Sequence, residues 1–463
     1  MGLTLRNIYT FLFLLGVFFI PFNSWEGIKA LGEFKKESSA FFFLVGFFVL
    51  ILEIIISKRL LIPLDNILVK LLLIFLLWVV ATIFLNFPVV YESYYKRTTG
   101  VMRFIRQFFA LFLSCGIFFL FYYNVLRNLP SEEILFKIRK VFLYSFLFVC
   151  IYGFLEIGYS IFGSGIAYET LMILDYFPFI EYYTHNAGRI SSVTFEPPAL
   201  ATFLITVSGW MFSYIITHNG LKKYLPTIFI LILTYYSGSR TALIVILVQL
   251  AVFFTIFLTK KEFLKVLKMG FIVIVFFSGM FFLLNPRKIV ADVENKMESL
   301  DFKGNLKTNI SNQSRFGIQY ANLKVFSEHP FIGVGYGQQG FHAVNYYPIW
   351  AKKDNYEFEQ MYLNKKNPMF PPGYNLYVRL LAETGIIGLS IFLYFFYVIY
   401  RKCKILVKNK IKEISVIGVV LYISFIGFAL NFLQLDTFRN YGLWISFAIL
   451  VKITSDLTKK QTI

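Results

Sequence analysis

The sequence predicts an all-α, polytopic membrane protein with about a dozen transmembrane helices and one large polar loop. Three observations carry this. Of 463 residues, 57% are hydrophobic and 57 are Phe, whereas only 15% are charged; a soluble domain is nearer a quarter charged. Apolar blocks of roughly 20 residues, the helix length that crosses a bilayer core, follow one another along the chain. Blocks such as Phe41–Ile56 and Phe271–Leu284 show no alternation of polarity. That favours helices over a closed barrel as the way to pair every backbone group in lipid.

In order, spans are expected at 7–22, 40–57, 64–86, 101–124, 140–162, 197–217, 223–237, 240–258, 267–285, 380–400, 414–432 and 441–456. The first follows Arg6 and so resembles a signal peptide, but no A-x-A pattern follows Pro21–Trp25, and it is read as a retained helix. The seventh and eighth are separated only by Ser237–Ser239. With the N-terminus in the cytoplasm, the basic segments Lys58-Arg59, Arg127–Lys140, Lys222-Lys223, Lys260–Lys268, Arg401–Lys412 and Lys459-Lys460 all fall on the cytoplasmic side. Short loops rich in Lys and Arg stay on that side, so both termini are expected to be cytoplasmic. The formal charge of +19 is then a topology signal, and nucleic acid is not expected as a partner.

The chain divides into helices one to nine (1–285), a non-cytoplasmic loop (286–379), and three helices with a tail (380–463). A structureless loop of that length is improbable and usually functional. Within it, Asn309–Glu328 reads as a helix with Phe316, Tyr320, Leu323 and Phe326 on one face, weakened by Gly317 and ended before Pro330. Cys115, Cys150 and Cys403 all lie outside this loop, so no disulfide framework is expected there.

On the outer side, charge is sparse apart from the large loop. Arg240 opens the eighth helix after Ser237-Gly238-Ser239. The plainer reading is an interfacial anchor; the functional one is an anion site, because glycine allows close backbone approach and a helix N-terminus favours anions. Arg315, near the start of the loop helix, is unfavourably placed for the helix dipole, although a surface arginine is the bland alternative. Arg189 precedes a segment that reaches Glu196, just before the sixth helix. Pro197 suits a first helical turn. Glu196 is either a favourable carboxylate at a helix start or a general base. Arg103 and Arg106 share one face of the fourth helix, turned to the bundle interior or the headgroups. The glycines 333, 335, 337 and 340 form no phosphate loop, since no G-K-[ST] follows; a flexible turn is expected. His185, His218, His329 and His342 show no zinc spacing, so no metal and no other cofactor is expected. The arginines suit a lipid phosphate or diphosphate, which their planar forks bind bidentately.

Ser237-Gly238-Ser239-Arg240-Thr241-Ala242 at a helix start, Arg315 with His329-Pro330-Phe331-Ile332-Gly333-Val334-Gly335, and Tyr374-Asn375-Leu376-Tyr377 running into Leu381–Leu389 together resemble the O-antigen ligase and polymerase superfamily. The stretch from Arg189 to Pro198 is similar to polymerase-like members. The resemblance covers roughly 185–390. It implies a GT-C-like inner-membrane glycosyltransferase whose partners are undecaprenyl-diphosphate-linked glycans, as donor and acceptor, the bilayer, and a chain-length regulator. A sugar hydroxyl would attack the anomeric carbon and the lipid diphosphate would leave, needing neither nucleotide nor metal. Arg240 and Arg315 would be catalytic, with Glu196 and Tyr374. Arg189, Arg103, Arg106, Asn375 and Ser239 would bind substrate. Ligases of this family carry His-Asn where this chain has Tyr374-Asn375, and tyrosine, with a reference pKa of about 10, is a poor base. A polymerase of lipid-linked repeat units is therefore the leading expectation, and a ligase transferring glycan to lipid A core the alternative. A transporter is a third reading, disfavoured because the halves are unlike and few charges lie mid-membrane. For the base, Glu196 comes first, then His185, His342 or Tyr374; the reaction proceeding without one remains open.

Overall fold

The structure, a computed structural model, describes residues 4–58, 60–181, 188–257 and 309–461. Its main helices are α1 (Leu5–Phe18), α2 (Ser38–Ser57), α3 (Ile67–Leu85), α4 (Gly100–Leu126, with a π-helical stretch at Leu113–Phe118), α5 (Ser131–Ser160), α6 (Gly165–Leu174), α7 (Pro197–Thr217), α8 (Leu225–Tyr236), α9 (Arg240–Phe257), α10 (Ile310–Glu328), α11 (Leu376–Val407), α12 (Lys412–Asn431) and α13 (Tyr441–Gln461). Polar residues set several starts. The side chains of Asn66, Thr99 and Asn309 accept from backbone N–H groups in the first turns of α3, α4 and α10, the bonds an N-cap supplies.

Among the described residues, seven helices are long and apolar enough to cross a membrane: α2, α3, α4, α5, α7, α11 and α12. The chain is therefore a multi-pass membrane protein, but the expected twelve full-length spans are not all present as such. The helix found for 223–237 has 12 residues and rises roughly 18 Å, short of a bilayer core of about 30 Å. That for 7–22 has 14 residues. The expected span 267–285 lies outside the described residues. Two elements were unexpected: α6, within the expected loop 163–196, and a short hairpin pairing Tyr94-Tyr95 with Thr98-Thr99, a small departure from all-α.

The buried bundle is aromatic. Phe13, Phe43, Phe118, Phe121 and Tyr122, from α1, α2 and α4, interlock with ring centroids 4.8–6.4 Å apart, the range in which edge and offset contacts are favourable. Segment 309–379 builds a second, smaller core from α10 (Ile318, Ala321, Val325), from Tyr347, Phe358 and Tyr362, and from Ala382 of α11.

One expectation about this segment is corrected. Its helix forms as expected, and Phe316, Tyr320 and Leu323 share a face, which points outward, each 37–44% exposed, while Gly317, Ile318 and Ala321 face the core. Close packing selects the small residues: a Cβ at Gly317 would lie 2.3 Å from Ala351 Cβ. The glycine-rich segment is a backbone dock rather than a loose turn. Val334 and Gly335 N–H donate to Ala382 and Glu383 carbonyls at 3.0 and 2.9 Å, and Ile386 N–H to Pro330 O at 2.8 Å. The partner is a break in α11, where Gly385 has φ +66°. Trp78 Nε1 donates to Thr384 O across 3.1 Å. These bonds supply the carbonyls freed by the break, as a helix interrupted inside a bundle requires.

Candidate active site

The site begins with a zipper between two distant segments. Ile190 N–H donates to Tyr236 O at 3.1 Å, and Arg189 Nε donates to Ser237 O at 3.1 Å. The Ser237–Ser239 turn is left-handed at Gly238, φ +64°. A Cβ there would lie 2.8 Å from Arg189 Nε, so only glycine lets Arg189 lie across the turn. Ser239 caps α9, its hydroxyl accepting from Ala242 N–H at 3.3 Å. Its structural task is thus to start the helix whose first residue is Arg240.

The segment after Arg189 is held from behind by Glu156 of α5, 4% exposed. Its carboxylate accepts the Ser192 N–H at 2.5 Å and the Ser191 hydroxyl at 3.5 Å, with Ser192 at φ +53°. Ser24 Oγ donates to Val193 O at 3.2 Å. Glu196 stands at the N-cap of α7, yet its side chain makes no capping bond. The carboxylate is solvent-accessible but ringed by protein. That enclosure raises its pKa, and Arg315 and Arg189 oppose the rise.

Arg315 belongs to the same cluster. It is an electrostatic neighbour of Arg189, Arg240 and Glu196, although 75 residues separate it from Arg240 and more than a hundred from the other two. Its Nε is buried without a hydrogen-bond partner among the described residues, and its guanidinium carbon lies 5.4 Å from the centre of the Tyr374 ring. Tyr374 sits at φ +55°, a strained conformation for a bulky side chain. Its hydroxyl is 2.6 Å from Tyr362 OH, which donates to Glu357 at 3.4 Å. Burial pushes the Tyr374 pKa up to about 12.

The structure thus brings Arg189, Glu196, Arg240, Arg315 and Tyr374 together, with Ser239 beside them. Asn375 is a cap: its Oδ1 accepts from Tyr377 and Val378 N–H at 3.0 and 3.2 Å, while Nδ2 donates to Gln319 of α10 at 3.3 Å. Arg103 and Arg106 are not in this cluster. They line a neighbouring cavity of ≈ 340 Å³ with Gln107, Gln339, Arg379, Asp436 and Arg439. The two places are joined by segment 371–375 and by Asp436, which accepts the Gly373 N–H and lies 3.9 Å from Arg379. Of the other candidate bases, His342 faces His329, ring centroids 6.0 Å apart, and His185 lies outside the described residues. No group of three or more His, Cys, Asp and Glu gathers as a metal-ligand set among the described residues.

Glu156, Tyr362, Arg379, Glu383, Asp436 and Arg439 were not anticipated. For Arg379 and Glu383 a signal existed: opposite charges at i, i+4 inside an otherwise apolar helix, where ionisable groups are rare and functional.

In comparison with known proteins, residues 225–393 match the family model described as O-antigen ligase. That segment contains Ser239, Arg240, Arg315, Tyr374 and Asn375, while Arg103, Arg106, Arg189 and Glu196 precede it. The match supports the O-antigen ligase and polymerase superfamily. No curated protein matches the chain.

Proposed function

We propose that this membrane protein, with its O-antigen ligase family segment, polymerises oligosaccharide repeat units carried on undecaprenyl diphosphate, at the non-cytoplasmic face of the bacterial inner membrane. One observation supports this above others: three guanidinium groups from distant parts of the chain, Arg189, Arg240 and Arg315, gather in one cluster, with the Glu196 carboxylate beside Arg189 and Arg315. Like charges held together this way repel one another, and an anion of more than one charge relieves the repulsion. A diphosphate beside a membrane is such an anion, and planar arginine forks hold it bidentately.

In the proposed reaction the donor diphosphate rests against Arg240, Arg315 and Arg189. An acceptor sugar hydroxyl attacks the donor's anomeric carbon. The new C–O bond forms as the bond to the diphosphate oxygen breaks, and the electron pair leaves with that oxygen. Arg240 and Arg315 stabilise the charge that develops there. Glu196, beside Arg189 and Arg315, takes the hydroxyl proton. Tyr374, with a pKa of about 12, is unsuited to that role at neutral pH and instead packs its ring against Arg315.

The ligase reading keeps the same donor chemistry, and the family match is compatible with both readings. The acceptor separates the two. Purified protein mixed with lipid-linked repeat units alone yields a ladder of products if it polymerises, and no ladder if it needs lipid A core. Arg240→Ala or Arg315→Ala should cut the rate by on the order of 10²-fold or more. Unchanged turnover in both variants would refute the assignment.

A further inference from the structure

We propose that the cavity at Arg103 and Arg106 is a second phosphate site, which holds the carrier-lipid phosphate of the acceptor while the donor's diphosphate occupies the Arg189–Arg240–Arg315 cluster. This rests on the transferase reading and assigns it a second lipid-bound substrate.

The charges around the cavity are unequally satisfied. Arg379 pairs with Glu383 at 3.1 Å and lies 3.9 Å from Asp436. Arg439 pairs with Glu37 at 3.2 Å and Glu33 at 3.7 Å. Arg103 and Arg106 have no carboxylate within ion-pair distance among the described residues. Arg103 Nε is buried without a hydrogen-bond partner among the described residues, and its guanidinium carbon lies 4.4 Å from the centre of the Phe370 ring. A ring face steadies a guanidinium without neutralising it, so the fork is held ready for an anion. Gln339, only 3% exposed, donates to Pro371 O at 3.2 Å, while its Oε1 is buried without a partner among the described residues. A buried carbonyl oxygen without a donor is costly, and a ligand hydroxyl supplies one. Unpaired cations and an open acceptor beside Phe370 and Pro371 match a sugar phosphate.

The lipid part follows from α4. Met102, Ile105, Phe109 and Phe112 are all more than 40% exposed, on a helix long and apolar enough to cross a membrane. Arg103, Gln107 and Ala110 of the same helix line the cavity. The cavity therefore lies beside a lipid-facing surface. It also adjoins the first cluster: Pro371 and Pro372 line it, and Tyr374, two residues on, carries Arg315 on its ring. A glycan anchored at one site can reach a sugar anchored at the other.

The test counts undecaprenyl diphosphate bound to the full chain in phosphatidylcholine nanodiscs by native mass spectrometry. The wild type should hold two equivalents, Arg103→Gln/Arg106→Gln one, and Arg240→Gln/Arg315→Gln one. A wild type that holds one equivalent, retained by Arg103→Gln/Arg106→Gln, overturns the second site. Displacement of the Arg103/Arg106 equivalent by phosphatidylglycerol at equal mole fraction also overturns it, because the site then binds any phospholipid headgroup. If instead Arg240→Gln/Arg315→Gln keeps both equivalents while Arg103→Gln/Arg106→Gln loses one, the donor assignment fails and the second phosphate site stands. In transfer assays, Arg103→Gln/Arg106→Gln should raise the acceptor KM by about tenfold or more with donor KM unchanged; an unchanged acceptor KM overturns the acceptor role. Arg106 is exposed, so Arg106→Gln alone carries the same test, with a smaller shift, if Arg103→Gln does not fold.

Discussion

Among the described residues Glu156 forms no ion pair; what it holds is the N–H of a left-handed Ser192 and the Ser191 hydroxyl. Removing the carboxylate orphans the Ser192 N–H at a cost of about 1–3 kcal/mol and frees the segment between Arg189 and Glu196. Glu156→Ala should lower thermal stability by that amount and raise the donor KM, whereas Glu156→Gln, which still offers an acceptor, should recover most of both. Differential scanning fluorimetry with initial-rate kinetics separates the two effects. Glu196 supplies a pH test. Its pKa is raised by enclosure, against the pull of Arg315 and Arg189. A base must be ionised, so activity falls as pH drops through a pKa above the ordinary carboxylate range. Arg189→Gln removes a cation that favours the ionised form and should move this acid limb to higher pH. Glu196→Gln should abolish the limb. A pH–rate profile in which Glu196→Gln keeps an unaltered acid limb would assign the proton to another group.

At the scale of elements, glycines decide two junctions. Gly238→Ala places a methyl group against Arg189 Nε and demands a left-handed alanine. It should reduce turnover by about tenfold with little loss of fold. Gly220→Ala, also left-handed but with nothing within 4 Å of the added carbon, should leave turnover intact and serves as the control. Gly385→Ala is the severe case: its Cβ would come within 2.1 Å of Phe331 O. Separating α11 from the Pro330–Gly335 segment should cost on the order of 3 kcal/mol or more, read as earlier proteolysis of the loop in detergent. The existence of most of these elements was legible in the sequence. Apolar length announced the bundle helices, and the spacing from Asn309 to Glu328 announced α10. The direction of α10 was not legible, because spacing places Phe316, Tyr320 and Leu323 on one face without saying which way it points, and only Ala351 packed against Gly317 decides it. Nor was the glycine segment's role, since its partner is a helix break 50 residues away, visible only as Gly385.

For the whole molecule, the distribution of Lys and Arg predicts that segment 309–379 and the 401–412 loop lie on opposite sides of the membrane. The native cysteines 115, 150 and 403 are all buried, so single introduced cysteines report cleanly. Tyr356→Cys should react with a membrane-impermeant maleimide in intact spheroplasts, and Lys410→Cys only after lysis. Labelling of both in intact spheroplasts would reverse the orientation and remove the proposed site from its face. Apolar block length and the paucity of charge were sufficient by themselves to indicate a helical membrane protein, because the energy of backbone groups in lipid depends on local composition. The Arg240 and Arg315 motifs were visible for the same reason, being short and contiguous. That Arg189, Glu196, Arg240 and Arg315 share one cluster while Arg103 and Arg106 line another was decided only in three dimensions. Charge acts over distances in space, and the packing of α4, α9, α10 and α11, not the separation along the chain, sets which guanidinium groups face one another.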